Sequence, residues 1–328
     1  MQRYDSTFLA MGTEVQLSIL AKDPSSAAQL SARIERSLRR QGIDWYPWTT
    51  DDSGELKQLN TALTEHRSMT VSPTLAALLQ RSVELQRLSD DYFDPAVAPL
   101  VKAWGFADLN DAPATASSSI LNQWRTSHPS LSDLHIDGKQ VSSTRQDLQL
   151  DLGALAKGYA LQLALQQLKA QGCTQAAINM GGQWGVMGKS MTAQLQTLAI
   201  REPRSAKALA EIRLQDGESI STSGDYERYA LQDGRRIHHL LDPHTGQPVT
   251  HTEAVTVIDD DATLADAAST ALMAAGPENW RRIARQMGIR EALRIDASGA
   301  IEVTAALYAR LQWNPAALRQ HRIQQIDL

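Results

Sequence analysis

Short segments that alternate apolar and polar residues recur along this chain at uneven intervals, and helical runs fall between them without a fixed period. That irregularity is the strongest constraint on the fold. A regular strand–helix alternation specifies a parallel sheet with crossover helices. A repeat of about 20–50 residues specifies a solenoid or propeller. The chain has neither. Strands are expected at residues 15–20, 134–136, 140–143, 148–151, 176–180, 184–187, 195–200, 209–214, 236–240, 254–258, 292–295 and 301–304. Helices are expected at 24–40, 72–88, 156–171, 262–275, 277–287 and 306–312, several opened by a Ser or Asp beside Pro. Residues 42–60 read as an aromatic-bearing polar loop, and 108–119 (DLNDAPATASSS) as a flexible surface connection. The pattern specifies an α+β fold, mixed sheets with flanking helices. It is read as one domain over 1–328 whose two lobes share a cleft.

Composition removes several function classes. The 328 residues are 42% hydrophobic, enough for a sizeable core, and carry a formal charge of −5. Without a basic excess there is little to neutralise a phosphate backbone, so nucleic acid is not an expected partner. Cys173, the single cysteine, excludes a disulfide framework and Cys-based metal sites. No run approaches the roughly 18–20 apolar residues of a membrane helix, so no transmembrane segment is expected. The start, MQRYDSTFLAMGT, has no charged-then-apolar leader pattern.

Five segments could carry chemistry, and each has a plain structural reading beside it. At Asp151–Tyr159 (DLGALAKGY) a strand ends on a carboxylate and passes through Gly into a helix with Lys157 in its first turn. Such a junction offers free N–H groups to an anion; equally, Asp151 merely caps the helix. Asn179-Met180-Gly181-Gly182 is a close-approach site or a tight hairpin. Ser221-Thr222-Ser223-Gly224 can donate to phosphate or a flavin ring, or form a polar turn. In His238-His239-Leu240-Leu241-Asp242-Pro243-His244-Thr245-Gly246 a strand-end His suits general-base work, zinc is a weaker reading, and a structural His is the plain one. On a helix, Asp266 and Thr270 lie i and i+4 on one face. That oxygen pair suits a hard cation such as Mg²⁺, or a solvated polar stripe.

Taken in order, these segments resemble the ApbE family of FAD:protein FMN transferases. The likeness begins at Met11-Gly12-Thr13, continues through Phe93–Val101 with Trp104-Gly105-Phe106, and covers about residues 8–310. The resemblance implies an enzyme that splits FAD, joins its FMN part by a phosphoester to a Thr or Ser of an acceptor flavoprotein subunit, and releases AMP with Mg²⁺ required. It implies metal ligands at Asp266, Thr270 and the backbone carbonyl of Ala154. It implies FAD contacts from Asp151, Lys157, Ser221, Thr222, Ser223, Gly224 and His239. Met11, Trp48, Trp104, Gly105 and Phe106 would line the flavin or adenine pocket, and His239 would be the catalytic base. There are departures: Trp48 stands where a Tyr is frequent, and Gln183 where an acidic residue is common. Placement in the periplasm, its signal absent from this chain, is the expectation, with the cytoplasm as the alternative.

Two other functions fit the same residues: a Mg²⁺-dependent FAD pyrophosphatase that uses water, and a flavin-binding protein with no catalysis. The first differs only in the nucleophile. The second has no use for a base at His239.

Overall fold

The computed structural model describes residues 2–49, 53–107, 114–194, 197–232 and 234–328. Its frame is a nine-stranded sheet whose strands lie side by side in chain order. They are Gln2–Ala10, Thr13–Ala21, Ala176–Met180, Gln183–Met187, Ser219–Gly224, Thr252–Asp259, Glu291–Asp296, Ile301–Thr304 and Ile323–Ile326. All neighbours are antiparallel except the last pair. The first two strands join through Met11 and Gly12, both at positive φ (54° and 72°), as a two-residue hairpin twisted with its strands requires.

The two faces of the sheet are covered differently. Val255 and Val257 pack with the helices Pro24–Asp44, Ala156–Ala170 and Ala262–Gln286 into the largest core. Ile220, Ala254 and Ile258, on the other face by period-two alternation, pack with Ile200, Leu209 and Ile212 of a three-stranded sheet. A third cluster joins Leu100, Trp104, Phe106, Trp124 and Leu241. Thr252–Asp259 is buried on both faces through Ile258, which is why it reads as continuous rather than alternating.

The helix Ala262–Gln286 positions most of the site. Asp261 caps it, accepting from Thr263 N (2.9 Å) and Leu264 N (3.0 Å). Its first turns bury Ala262, Ala265, Ala267, Ala268 and Ala271, small enough to admit another backbone. Gly158 of the neighbouring helix uses that space: a Cβ there would lie 2.3 Å from the Ala262 carbonyl oxygen and 2.6 Å from Asp266 Cβ. Gly276 (φ 67°, ψ −176°) is non-helical just before Pro277, so this span is two helices meeting at a kink, at the boundary expected from sequence.

The α+β class stands, with local corrections. Gln2–Ala10 is a full edge strand that its polar outer face concealed. Glu55–Thr64 is a helix that begins within the expected loop and runs past its end; its apolar residues Leu56, Leu59, Ala62 and Leu63 are buried. Residues 148–151 are not a strand: the Leu150 backbone bonds the Asn60 side chain (2.8 and 2.9 Å) instead of a ladder. Of the stretch 195–200, residues 195–196 lie outside the described residues, and the strand is Leu198–Arg201. The expected helix 306–312 shrinks to Ala305–Tyr308. Of the expected connection, 108–113 lies outside the described residues, and Ser118–Ser127 is a helix.

Candidate functional site

The strand-to-helix junction is held from three sides. Asp151 donates its backbone N–H to the Pro95 carbonyl (2.8 Å), and its Oδ1 accepts from Gly153 N (2.8 Å). Its Oδ2 accepts from Trp48 Nε1 (3.0 Å), which ties the aromatic loop to the junction. A carboxylate has about four lone-pair sites, so Asp151 keeps capacity for a ligand.

Gly158 is the third residue of the helix Ala156–Ala170, so its N–H is one of the first-turn donors that have no partner inside the helix, and it donates to Asp266 Oδ2 at 2.8 Å. Ala154 lies just before this turn. Asp266 Oδ1 accepts from Ser221 Oγ at 3.3 Å. Ser223, two residues on and on the same face, bonds Ser269 Oγ (2.8 Å) and Thr270 Oγ1 (3.1 Å). Asp266, Ser221, Ser223 and Thr270 therefore form one oxygen-rich patch.

Asp266 is 5% exposed. Burial raises its pKa, opposed chiefly by the Lys157 charge and then by the Gly158 N–H, the Ser221 hydroxyl and the Gln183 amide. No group of three or more His, Cys, Asp or Glu stands together among the described residues. What the patch offers is one carboxylate and a set of hydroxyls: a hard, oxygen-only donor set that fits Mg²⁺ and would leave room for several waters. Gln183 adds an anomaly. It is 4% exposed, and neither its Oε1 nor its Nε2 makes a hydrogen bond, although the amide faces Asp266. An unmet buried polar group costs about 1–3 kcal/mol, so a ligand or solvent must be its partner.

The three neighbouring histidines point to three different partners, which removes the zinc reading. His238, 1% exposed, donates from Nε2 to the Val249 carbonyl (2.5 Å) and accepts at Nδ1 from Leu240 N (3.3 Å). His244 pairs with Asp242 (3.5 Å) and meets the Tyr92 ring edge-on. His239 follows directly on the strand Arg235–His238, and its backbone N–H donates to the Arg228 carbonyl at 3.2 Å. Its Nδ1 lies 3.3 Å from the Arg228 carbonyl. A carbonyl only accepts, so Nδ1 carries the proton and Nε2 keeps a free lone pair.

Desolvation, then the positive charges of Arg228, His238 and Lys157, press the His239 pKa down to about 3. His239 is therefore neutral near pH 7. The other carboxylates near it are engaged. Asp225 is gripped by Arg204 (2.6 and 2.7 Å), and Asp242 accepts from the His244 N–H and the Thr245 hydroxyl.

Trp104 and Phe106 sit in the third core rather than on an open wall. The Trp104 indole donates to the Gly246 carbonyl (2.8 Å) and Trp124 to the Pro243 carbonyl (2.6 Å). Two indoles thus clamp the turn that follows His239. Gly105 (φ 72°) turns the chain so that Phe106 reaches His239, with ring centroids 6.4 Å apart.

The remaining expected residues fall elsewhere. Thr222 points to the opposite sheet face and pairs with Thr256 (2.9 Å). Gly224 is small because the Tyr226 ring covers it: a Cβ would lie 2.4 Å from that ring. Met11 packs against Gly42. Gly158, Ser269 and Arg228 belong to the site and were not given a role from sequence, while Gln183 was noted there only as a departure. Of the three, only Gly158 had a readable signal, a Gly beside Lys157 in a helix's first turn.

The helix-start junction, the oxygen-rich patch at Asp266 and the His239 imidazole are set in a protein of α+β class. The chain belongs to the ApbE family, matching it over residues 11–293. It is 39% identical over 306 residues to a FAD:protein FMN transferase of Rhodobacter capsulatus, covering 93% of this chain and 58% of that protein. It is 30% identical to one from Klebsiella pneumoniae, with 85% and 80% covered. The chain therefore spans just over half the length of the first relative. The ApbE protein of Thermotoga maritima superposes with TM-score 0.83 at 28% identity, over 94% of this chain and 99% of that one. The Pseudomonas stutzeri flavinyl transferase ApbE, in its apo form, gives 0.82 at 29% identity, over 94% and 96%.

Proposed function

We propose that this chain transfers the FMN part of FAD to a Thr or Ser hydroxyl of an acceptor protein and releases AMP. The relatives' names support the transferase class. The observation that carries the reading to these residues is the buried Asp266 carboxylate, held by the Gly158 amide (2.8 Å) and grouped with the hydroxyls of Ser221, Ser223 and Thr270.

Asp266, Thr270 and the Ala154 carbonyl would hold Mg²⁺. When bound, the ion neutralises pyrophosphate charge and eases departure of AMP. The residues of the chain do the rest. The Asp151–Gly158 junction receives the phosphates, and Lys157 adds a point charge. His239 Nε2 takes the proton from the acceptor hydroxyl as its oxygen bonds the FMN-side phosphorus, while the bond from that phosphorus to the AMP phosphate oxygen breaks. Without a base, a hydroxyl is a poor nucleophile at neutral pH.

The test is incubation with FAD, Mg²⁺ and flavoprotein subunits from the same organism, read by mass spectrometry and in-gel flavin fluorescence. A covalent FMN adduct on a Thr or Ser is expected. Free FMN and AMP with no adduct would replace transfer by hydrolysis. Unchanged FAD would leave a binding protein.

A further inference from the structure

We propose that Gln183 is a further member of the cation site, its amide oxygen a neutral donor to the divalent ion held by Asp266. The inference rests on the cation reading above and adds a residue to it.

The turn before Gln183 is fixed. Gly181 and Gly182 both have positive φ (62° and 94°), and Gly182 N donates to Asn179 Oδ1 at 2.9 Å. A Cβ on Gly181 would lie 2.5 Å from Thr13 Oγ1, so the turn cannot drift toward the first hairpin. Gln183 then enters its strand opposite Met180. The next strand pairs Ser219 with Gly185 and Ile220 with Trp184. One further step of that register brings Gln183 level with Ser221, whose hydroxyl donates to Asp266. The side chain is thus carried to the carboxylate by rigid ladder, not by a loop.

There it is buried with both polar atoms unmatched. A folded protein rarely buries an entire amide without partners, and an absent ion with its waters is one recognised cause. Of its two amide atoms only Oε1 carries lone pairs, and a neutral carbonyl-type oxygen is an ordinary donor to hard divalent cations. An amide here also sets the charge of the site. Asp266 alone contributes −1, where an acidic residue at 183 would make −2. The site of this chain is accordingly tuned toward weaker, more readily exchanged Mg²⁺.

The experiment is calorimetric titration of Mg²⁺ into purified full-length protein, with thermal melts recorded with and without Mg²⁺. Gln183→Leu should weaken Mg²⁺ about 10- to 100-fold, the range seen when groups supporting a metal site are removed. Its metal-free melting temperature should equal or exceed wild type, because an unpaired buried amide has been removed. Gln183→Glu, which keeps the shape, should bind Mg²⁺ more tightly than wild type. Asp266→Ala is the control for the underlying reading. If Asp266→Ala loses Mg²⁺ while Gln183→Leu and Gln183→Glu bind it as wild type does, the role of Gln183 is overturned and the site stands. If Asp266→Ala binds Mg²⁺ normally, the cation site itself is wrong.

Discussion

Replacing Gly158 by Ala tests the helix contact on which the site is built. In an exposed helix interior this change would stabilise by about 0.8–1 kcal/mol, through backbone entropy. Here the sign should reverse. The new Cβ would sit 2.3 Å from the Ala262 carbonyl oxygen and 2.6 Å from Asp266 Cβ. Ordinary contact between such atoms lies near 3.5–4.0 Å, so the two helices must part by roughly 1 Å. Neither atom can swing aside, one being backbone and the other the root of a side chain. Overpacking of this kind costs about 1–3 kcal/mol. Losing the Gly158 N–H bond to a carboxylate adds about 1.5–3 kcal/mol. Less the helix-propensity gain, the net destabilisation is about 2–5 kcal/mol. Urea unfolding of metal-free protein reads the stability, and FAD turnover at saturating Mg²⁺ reads the site. Displacing Asp266 by that distance should lower turnover by about 10²-fold or more. A variant with the wild-type urea midpoint and wild-type turnover would refute the argument that this close approach positions Asp266.

His239→Ala should keep FAD affinity and lower transfer by about 10²–10⁴-fold, as measured by FAD titration beside single-turnover transfer. His238→Ala should instead cost stability, about 1–3 kcal/mol in urea unfolding, because the buried Val249 carbonyl loses its donor; alternation alone would have made this change mild. Asp266→Ala should reduce transfer far more than Thr270→Ala across a Mg²⁺ dose series, since only the carboxylate brings charge and water can replace a hydroxyl. Burial raises the Asp94 carboxyl from 3.8 to about 7. Between those values the unfolded chain ionises while the folded chain keeps its proton, so this group removes stability as pH rises from about 4 to about 7 and no more above that. Urea midpoints taken across that range for wild type and Asp94→Asn should show the slope reduced in the variant.

How much of this was legible depended on the range of the interaction that decides each feature. The Ala262–Gln286 helix could be read from its cap at Asp261 and its small apolar stripe, and its break at Gly276-Pro277 from those two residues. The pairing of Asp266 with Thr270 follows from helical period alone. Gln2–Ala10 was hidden because an edge strand with one open face alternates Asp5 and Ser6 among weakly apolar neighbours. Residues 148–151 have strand-like composition, yet their backbone partner is Asn60, 90 positions away, which no local pattern encodes. Gln183 was legible only as a departure from family habit, since its lack of partners exists only after distant strands pair. Trp104 looked like a pocket wall because exposed and buried tryptophans have the same letter; its bond to the Gly246 carbonyl, 142 residues on, decides between them.

The two chemical halves of the site make opposite demands that one side chain meets. A buried Asp266 tends to take up a proton, which would remove the negative charge a divalent cation needs. A histidine near carboxylates tends to hold its proton, which would remove the lone pair a base needs. Lys157 acts on both: its charge lowers the pKa of Asp266 and lowers that of His239. The first effect keeps the carboxylate ionised, the second keeps the imidazole neutral. Lys157→Met would therefore weaken two functions at once, and the pH profile separates them. Mg²⁺ binding should then need higher pH to deprotonate Asp266, and the acid limb of transfer should move up as the His239 pKa rises. A variant that changes only FAD affinity, with both pH dependences unmoved, would reduce Lys157 to a phosphate contact.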